Sequence, residues 1–448
     1  MPRRSRGCAE CRQRRIGCDG GAPCCRQCQV TNRQCSGPLQ GAVIINQTKR
    51  IVSRHQRPRP DVAVRRECLL TPQPSHQSIF AHAFIAEFVS FITARNEQAR
   101  RQSWLTEIQR GSIVDEGLAI DLSMQATALA YCGAASNNPA AVREACRIYG
   151  TALSKHSRSI AHDSTSLRAA SLYTCVMLSL FEAICSTSSV AYGTHLRAAQ
   201  KMLALVPRED GPGLHAQVIS QLGQHVQCQT LFTMLATPQE YIRQAPVPAS
   251  WAKAPGPRDA FDRLIHCLYY LTDTLVRRHH EPDLELFVDA NVSLEIEELW
   301  DGFQEQAVHS GERIQWPMEP GSQYQDPFTA MALAYFAASR VLLSILGIES
   351  PRSGPQVSTF QNACDCIIEC CRFFEGKEIG CAHLRMFFPL MLVAMHGGSE
   401  QQDVARRVLG QRLGSTAFKG LGFVAVRRVQ QTDFVCAAAP MVRGIKAI

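Results

Sequence analysis

The chain carries none of the signatures of common enzyme chemistry: no HExxH, no phosphate-binding loop, no GxSxG and no dinucleotide fingerprint. No catalytic residue is therefore assigned, and a non-enzyme is expected. Strand signals are scarce as well. The longest apolar run, from Ala332 to Ile348, is interrupted by Arg340, so no membrane-spanning segment and no membrane partner are expected. The first residues, MPRRSRGCAE, hold no apolar stretch of the kind that directs secretion, which argues against an extracellular disulfide framework. No histidine precedes His55, so eight-ligand ring modules, which usually include histidine, do not fit the head of the chain.

Cysteine, in contrast, is abundant, with 20 residues, and seven of them fall between Cys8 and Cys35. That segment reads CAECRQRRIGCDGGAPCCRQCQVTNRQC and is one spacing written twice. Cys8-x2-Cys11-x6-Cys18 is followed by Cys25-x2-Cys28-x6-Cys35. The stretch is too short to bury a core of its own. A zinc ion takes four soft ligands in a tetrahedron, and cysteines two residues apart can point both sulfurs into one site. Two ions would need eight thiolates. Six suffice if two of them bridge, and the doubled pattern makes Cys8 and Cys25 the symmetry-equivalent candidates. Cys24 breaks the repeat, since only Cys25 stands two residues from Cys28; Cys24 is read as a spectator thiol open to oxidation.

Between the first ligands, CRQRRIGC places Arg12, Arg14 and Arg15 on a short helix. Arginine in a major groove can hold O6 and N7 of guanine bidentately. The other reading of any one of them is a phosphate-neutralising charge with no base preference. Residues 1–66 hold 15 Lys and Arg against three acids, a net charge of +12 within a chain of +8, so the remainder carries −4. Such a head suits a polyanion. Its two basic runs, from Arg3 and from Arg12, also fit nuclear import signals.

On these six cysteines, with Pro23 two places before the fourth, the chain resembles the fungal zinc binuclear cluster family of transcription factors. The resemblance implies two zinc ions, double-stranded DNA as partner and residence in the nucleus. It also implies a first helix that reads CGG-type triplets through the adjacent basic pair, here Arg14 and Arg15, with Arg15 the favoured reader. Arg26, Arg33 and the tail arginines Arg3, Arg4 and Arg6 are candidates for further phosphate contacts. The family commonly has lysine before the third cysteine, where this chain has Gly17. A lost cation lowers affinity without changing which bases are read. The alternative is a helical regulatory or adaptor protein whose cluster binds DNA weakly or without selectivity.

Three parts are expected: the cluster over 1–40, a basic proline-containing linker over 41–76, and an all-helical domain over 77–448. The linker prolines leave no room for the coiled coil that many members of this family place after the cluster, so either a homodimer forms through the helical domain or a single triplet or an asymmetric site is read. From Ile79 to Ile92 apolar residues recur at three and four. Further helices are expected near 116–134, 139–161, 165–186, 190–206, 214–235, 258–278, 326–347, 358–374 and 383–396. The acidic stretch from Glu281 to Asp326 reads as a loop or surface insertion. Within it, Leu294 to Trp300 reads as a capping amphipathic helix in preference to the other reading of the same segment, an acidic-hydrophobic activation patch.

Arg147-Ile148-Tyr149-Gly150, Leu172 to Ile184 and Tyr192 to Met202 look like the regulatory domain that follows fungal zinc clusters. That likeness implies a coregulator or small-molecule effector and control of a metabolic or biosynthetic gene cluster. His195 in this set is read as a satisfied core histidine. The dense group Cys364, Cys366, Cys370, Cys371, Cys381 and His383 lacks a second matched pair and is read as buried thiols rather than a metal site.

Overall fold

The computed structural model describes residues 7–37, 105, 118–162, 169–205, 214–243, 260–281, 291–309, 311, 314, 324, 327–348, 356–375, 377, 380–415 and 418–438. The chain divides into two compact units, Met1–Pro72 and Gln73–Ile448. The linker over 41–76 and the stripe from Ile79 to Ile92 lie outside the described residues. Among those residues the secondary structure is helical, with no strand.

The first unit contains two five-residue helices, α1 (Ala9–Gln13) and α2 (Arg26–Val30), which pack on each other. Its buried cluster consists of cysteines alone: Cys8, Cys11, Cys25 and Cys28, with Cys18, Cys24 and Cys35 packed around them.

The second unit begins with α3 (Leu118–Ala135) and α4 (Pro139–His162), which form a tight helical hairpin. Its turn is written in two asparagines. Asn137 takes the left-handed conformation (φ 50°), and the Asn138 N–H returns to the Gly133 carbonyl at 2.8 Å, closing α3. Asn138 Oδ1 then accepts from the N–H groups of Ala140 and Ala141 and starts α4, with Pro139 at its first position.

Next come α5 (Ala169–Cys185), α6 (Ala191–Leu205), α7 (Leu214–Ala236), α8 (Pro238–Arg243) and α9 (Ala260–His280). From Leu172 to Ile184 every side chain of α5 is buried, as expected of a helix that is apolar on all sides. By contrast α9 buries one stripe, Phe261, Leu264, Ile265, Leu268, Leu271 and Val276. The core is completed by α10 (Asn291–His309), α11 (Pro327–Leu346), α12 (Gln356–Phe373), α13 (Gly380–Arg385), α14 (Phe387–His396), α15 (Ser399–Ser415) and α16 (Lys419–Ala438).

Four expectations need correction. The stretch from Glu281 to Asp326 is more than a loop or surface insertion, because the amphipathic helix expected over Leu294 to Trp300 is part of the longer α10. Val292, Ile296, Leu299 and Trp300 face inward there at helical spacing while Leu294 stays half exposed. The region from 383 to 396 is two helices, broken at Met386. Both α15 and α16 were unanticipated, since they show little sidedness in polarity. Finally, α11, the helix expected over 326–347, is long and apolar enough by length and composition to cross a membrane despite Arg340. It is a core helix: 83 % of its most apolar window is buried. Arg340 is accommodated by Glu297 at 3.6 Å and by the Trp300 ring at 5.1 Å.

The interior also holds a polar knot. Tyr149 donates its hydroxyl hydrogen to Glu182 Oε1 at 2.6 Å and lies 2.9 Å from His195 Nε2, so His195 serves as donor in its neutral Nε2–H form. The Thr187 N–H and hydroxyl also donate to Glu182. His195 is a satisfied core histidine.

Two tests follow. A Cβ on Gly420 would lie 2.5 Å from the Glu182 carbonyl oxygen and 2.8 Å from that of Ala183, whereas one on Gly150 meets nothing within 4 Å. In chemical denaturation Gly420→Ala is expected to cost about 1–3 kcal/mol, and Gly150→Ala to gain about 0.5–1 kcal/mol. Burial holds His156, His195 and His396 down to about 4 and His225 to about 3. An unfolded histidine binds its proton near pH 6.5. The unfolded chain therefore carries more protons below that pH, and stability falls as pH drops from about 6.5 toward 4. The thermal midpoint should track this decline, and a flat profile across that window would contradict the burial of these rings.

Candidate metal centre and nucleic-acid interface

The cysteine spacing dictates the local fold of the head. Cys8 stands at the N-cap of α1 in extended conformation, and its Sγ accepts the Cys11 N–H at 3.4 Å. Cys25 does the same for α2, accepting the Cys28 N–H at 3.4 Å. One turn of helix thus brings the sulfurs of each Cys-x2-Cys pair to one side. The chain then returns: Cys18 Sγ accepts the Cys8 N–H, and Cys35 Sγ accepts the Cys25 N–H, each at 3.4 Å.

The repeat continues beyond the sulfurs. Asp19, after Cys18, accepts the Arg26 N–H at the start of α2, and Ser36, after Cys35, accepts the Ala9 N–H at the start of α1. Glu10 secures the second clasp by accepting from the Ser36 N–H and hydroxyl, which hold its carboxyl below the usual carboxylate range. Each helix closes on a left-handed residue, Arg15 (φ 58°) and Asn32 (φ 51°), so of the three arginines expected on the first helix only Arg12 lies within α1, while Arg14 caps it and Arg15 follows. The next N–H, of Ile16 or Arg33, returns to the carbonyl of Cys11 or Cys28. The head is therefore two superimposable halves, seventeen residues apart, joined through sulfur.

The six repeat sulfurs form two quartets, Cys8, Cys11, Cys18 and Cys25, and Cys8, Cys25, Cys28 and Cys35, with all atoms of a quartet within 4.8 Å of one another. Cys8 and Cys25 belong to both. The sulfurs of Cys8 and Cys25, Cys8 and Cys28, and Cys11 and Cys25 are each 3.7 Å apart. Four sulfurs about 2.3 Å from a central zinc would be separated by about 3.8 Å. The donor set thus fits a tetrahedral metal site, and these cysteines can hold a metal ion. Cys24 belongs to neither quartet and lies 3.7 Å from the Cys25 carbonyl oxygen.

The thiols differ in readiness. The N–H groups of Cys25 and Gly37 pull Cys35 down to about 7, and those of Cys8 and Gly20 pull Cys18 down. Burial pushes Cys11 up to about 12 and Cys28 upward as well. The inner thiols hold protons until a cation displaces them, so metal uptake releases protons and strengthens as pH rises.

Exposed guanidinium groups stand on both halves of this centre, Arg26 and Arg33 on the second, but only the first half carries an adjacent basic pair. Arg12, Arg14 and Arg15 are all exposed on the first half, and their counterparts in the second half are Gln29, Thr31 and Asn32. Arg26, also exposed, lies at the start of α2. Gly17 has open space where a side chain would project, so the cation it lacks was not excluded by sterics.

No second metal group comparable to these quartets occurs among the described residues. Cys364, Cys366, Cys370, Cys371 and Cys381 are buried in the apolar core, and His383 Nε2 bonds the Lys377 carbonyl at 2.8 Å.

Residues 102–250, about a third of the chain, match the family of the fungal specific transcription factor domain. The matched segment runs through α3 to α8 and leaves out the cysteine head. No curated protein and no solved structure matches the chain. The likeness points to a transcription regulator and away from an enzyme.

Single serine substitutions test the sharing of sulfurs. Cys25→Ser should abolish metal retention by the whole head, Cys35→Ser should spare one quartet, and Cys24→Ser should leave metal content unchanged by elemental analysis. Equal losses in Cys24→Ser and Cys25→Ser would contradict the assignment.

Proposed function

We propose that the protein is a nuclear, sequence-selective DNA-binding regulator of RNA polymerase II genes. Its head is held by two zinc ions, with Cys8 and Cys25 bridging them and Cys11, Cys18, Cys28 and Cys35 as terminal ligands. The observation that supports this reading is the pair of quartets sharing an edge, with the adjacent pair Arg14 and Arg15 exposed on the first half and Thr31 and Asn32 at the equivalent places on the second. The ions supply folding energy, about 10–16 kcal/mol per structural zinc, to a head whose buried cluster is sulfur.

Arg14 and Arg15 are the base readers, able to fork onto O6 and N7 of guanine in CGG-type triplets. Arg12 and Arg26 neutralise phosphates. The helical unit modulates this activity, and the resemblance of the whole to fungal cluster regulators supports control of a metabolic or biosynthetic gene cluster. One feature favours the alternative of a weakly DNA-binding adaptor, namely Gly17.

The decisive comparison uses the zinc-loaded full chain. Arg15 occupies a position that glycine fills without strain, so Arg15→Gly should retain metal and fold while losing about 1–3 kcal/mol of discrimination for CGG over scrambled duplex. Gly17→Lys should tighten binding to both sequences and steepen the dependence of log K on log salt by about 0.9. Wild-type protein that binds scrambled DNA as well as CGG would overturn the reading and leave the adaptor.

A further inference from the structure

A cavity of about 210 Å³ opens in the helical unit between α8, the turn at Ser189 and Val190, and α16. Its apolar floor includes Ala236, Pro238 and Val424. Around it stand Arg243 from α8, Arg427 and Arg428 from α16, and Glu240. Three guanidinium groups against one carboxylate leave two positive charges in excess. Glu240 is already engaged with Arg243 at 2.7 Å.

The cations are presented by separate elements. Arg428 is anchored by its Nε, which donates to the Leu235 carbonyl at 3.2 Å at the end of α7, and burial disfavours its charge. A narrower recess of about 20 Å³ adjoins the cavity and shares Thr237 and Glu240 with it. Hydroxyls and amides from Ser189, Thr237, Gln239 and Gln431 add hydrogen-bonding groups to the larger space. The volume lies below the range of about 300–1,000 Å³ typical of drug-sized ligands, so a nucleotide would not be enclosed. Guanidinium forks recognise planar carboxylates and phosphates through paired hydrogen bonds.

We propose that this cavity binds a small dianion, a short dicarboxylate or a phosphomonoester, clamped between Arg243 of α8 and the arginine pair of α16. The ligand would offset the cationic excess and tie the C-terminal helix to the segment that matches the transcription factor domain. Calling the ligand an effector rests on the regulatory reading above; the binding itself does not.

The test is calorimetric titration of the full-length, zinc-loaded chain with succinate and with inorganic phosphate, and with succinamide as the uncharged analogue. Saturable binding of at least one dianion with Kd below about 1 mM is expected, with no binding of succinamide. Arg243→Gln combined with Arg427→Gln alters two exposed side chains and should weaken that binding at least about tenfold without moving the thermal midpoint. Response to phosphate alone would assign a phosphomonoester, and response to succinate alone a dicarboxylate. Absence of saturable binding by either dianion, or equal affinity in the double variant, would overturn the proposal. DNA binding measured on the same preparation without added anion reports on the head separately, so either reading can fail alone.

Discussion

Sulfur brought to within 3.7 Å of sulfur is the constraint on which the head depends. Close-packed thiols without a cation would carry protons on Cys11 and Cys28, and they would offer little to hold two one-turn helices that are far too short to persist alone. Every other feature of the segment serves to deliver those atoms. Cys8 and Cys25 are each at once a helix cap, a sulfur common to both quartets and the donor of an N–H to the third cysteine of its own half. Asp19 and Ser36 then clasp the opposite helix starts. The same backbone groups that close the structure also favour thiolate on Cys18 and Cys35, so folding and ligand preparation are one process.

The helical unit inverts this arrangement. Its thiols behave as small hydrophobes: burial pushes Cys175, Cys364 and Cys381 up to about 12. The difference between Cys35 at about 7 and Cys364 lies in what surrounds each sulfur, backbone N–H donors in one case and apolar side chains in the other. Residue type alone does not separate the two roles, and matched spacing does. Stability here comes from helices such as α5 and α11 that are buried on nearly all sides, and from polar groups paired where they enter the core, as at Tyr149, Glu182 and His195.

This contrast explains what could be read from the chain before its structure. The cysteine repeat was legible because metal ligation imposes a fixed spacing. Helices such as α4 and α9 were legible through their periodicity. At α10 the amphipathic pattern of Leu294 to Trp300 was legible, but its acidic surroundings concealed the full length of the helix, and Glu297 turns inward toward Arg340. Polarity failed at α15 and α16, whose apolar residues are too scattered to mark a face. The clasp of Glu10 and Ser36, 26 residues apart, had no local signal at all, and the cavity beside α16 depends on helices nearly two hundred residues apart in sequence.

A duplicated scaffold also isolates what is functional in each copy. Whatever the fold requires should recur after seventeen residues, and the cap, the ligands, the clasp position and the left-handed closing residue all do. What fails to recur is therefore free of that requirement. Asn32 shows the residue that closes such a turn easily, since asparagine tolerates positive φ, whereas arginine there costs on the order of 1–2 kcal/mol. Arg15 thus occupies the equivalent position against local preference, next to Arg14 and exposed to solvent. The repeated scaffold does not require that charge at that place, which is why the proposed function assigns it to recognition rather than to folding.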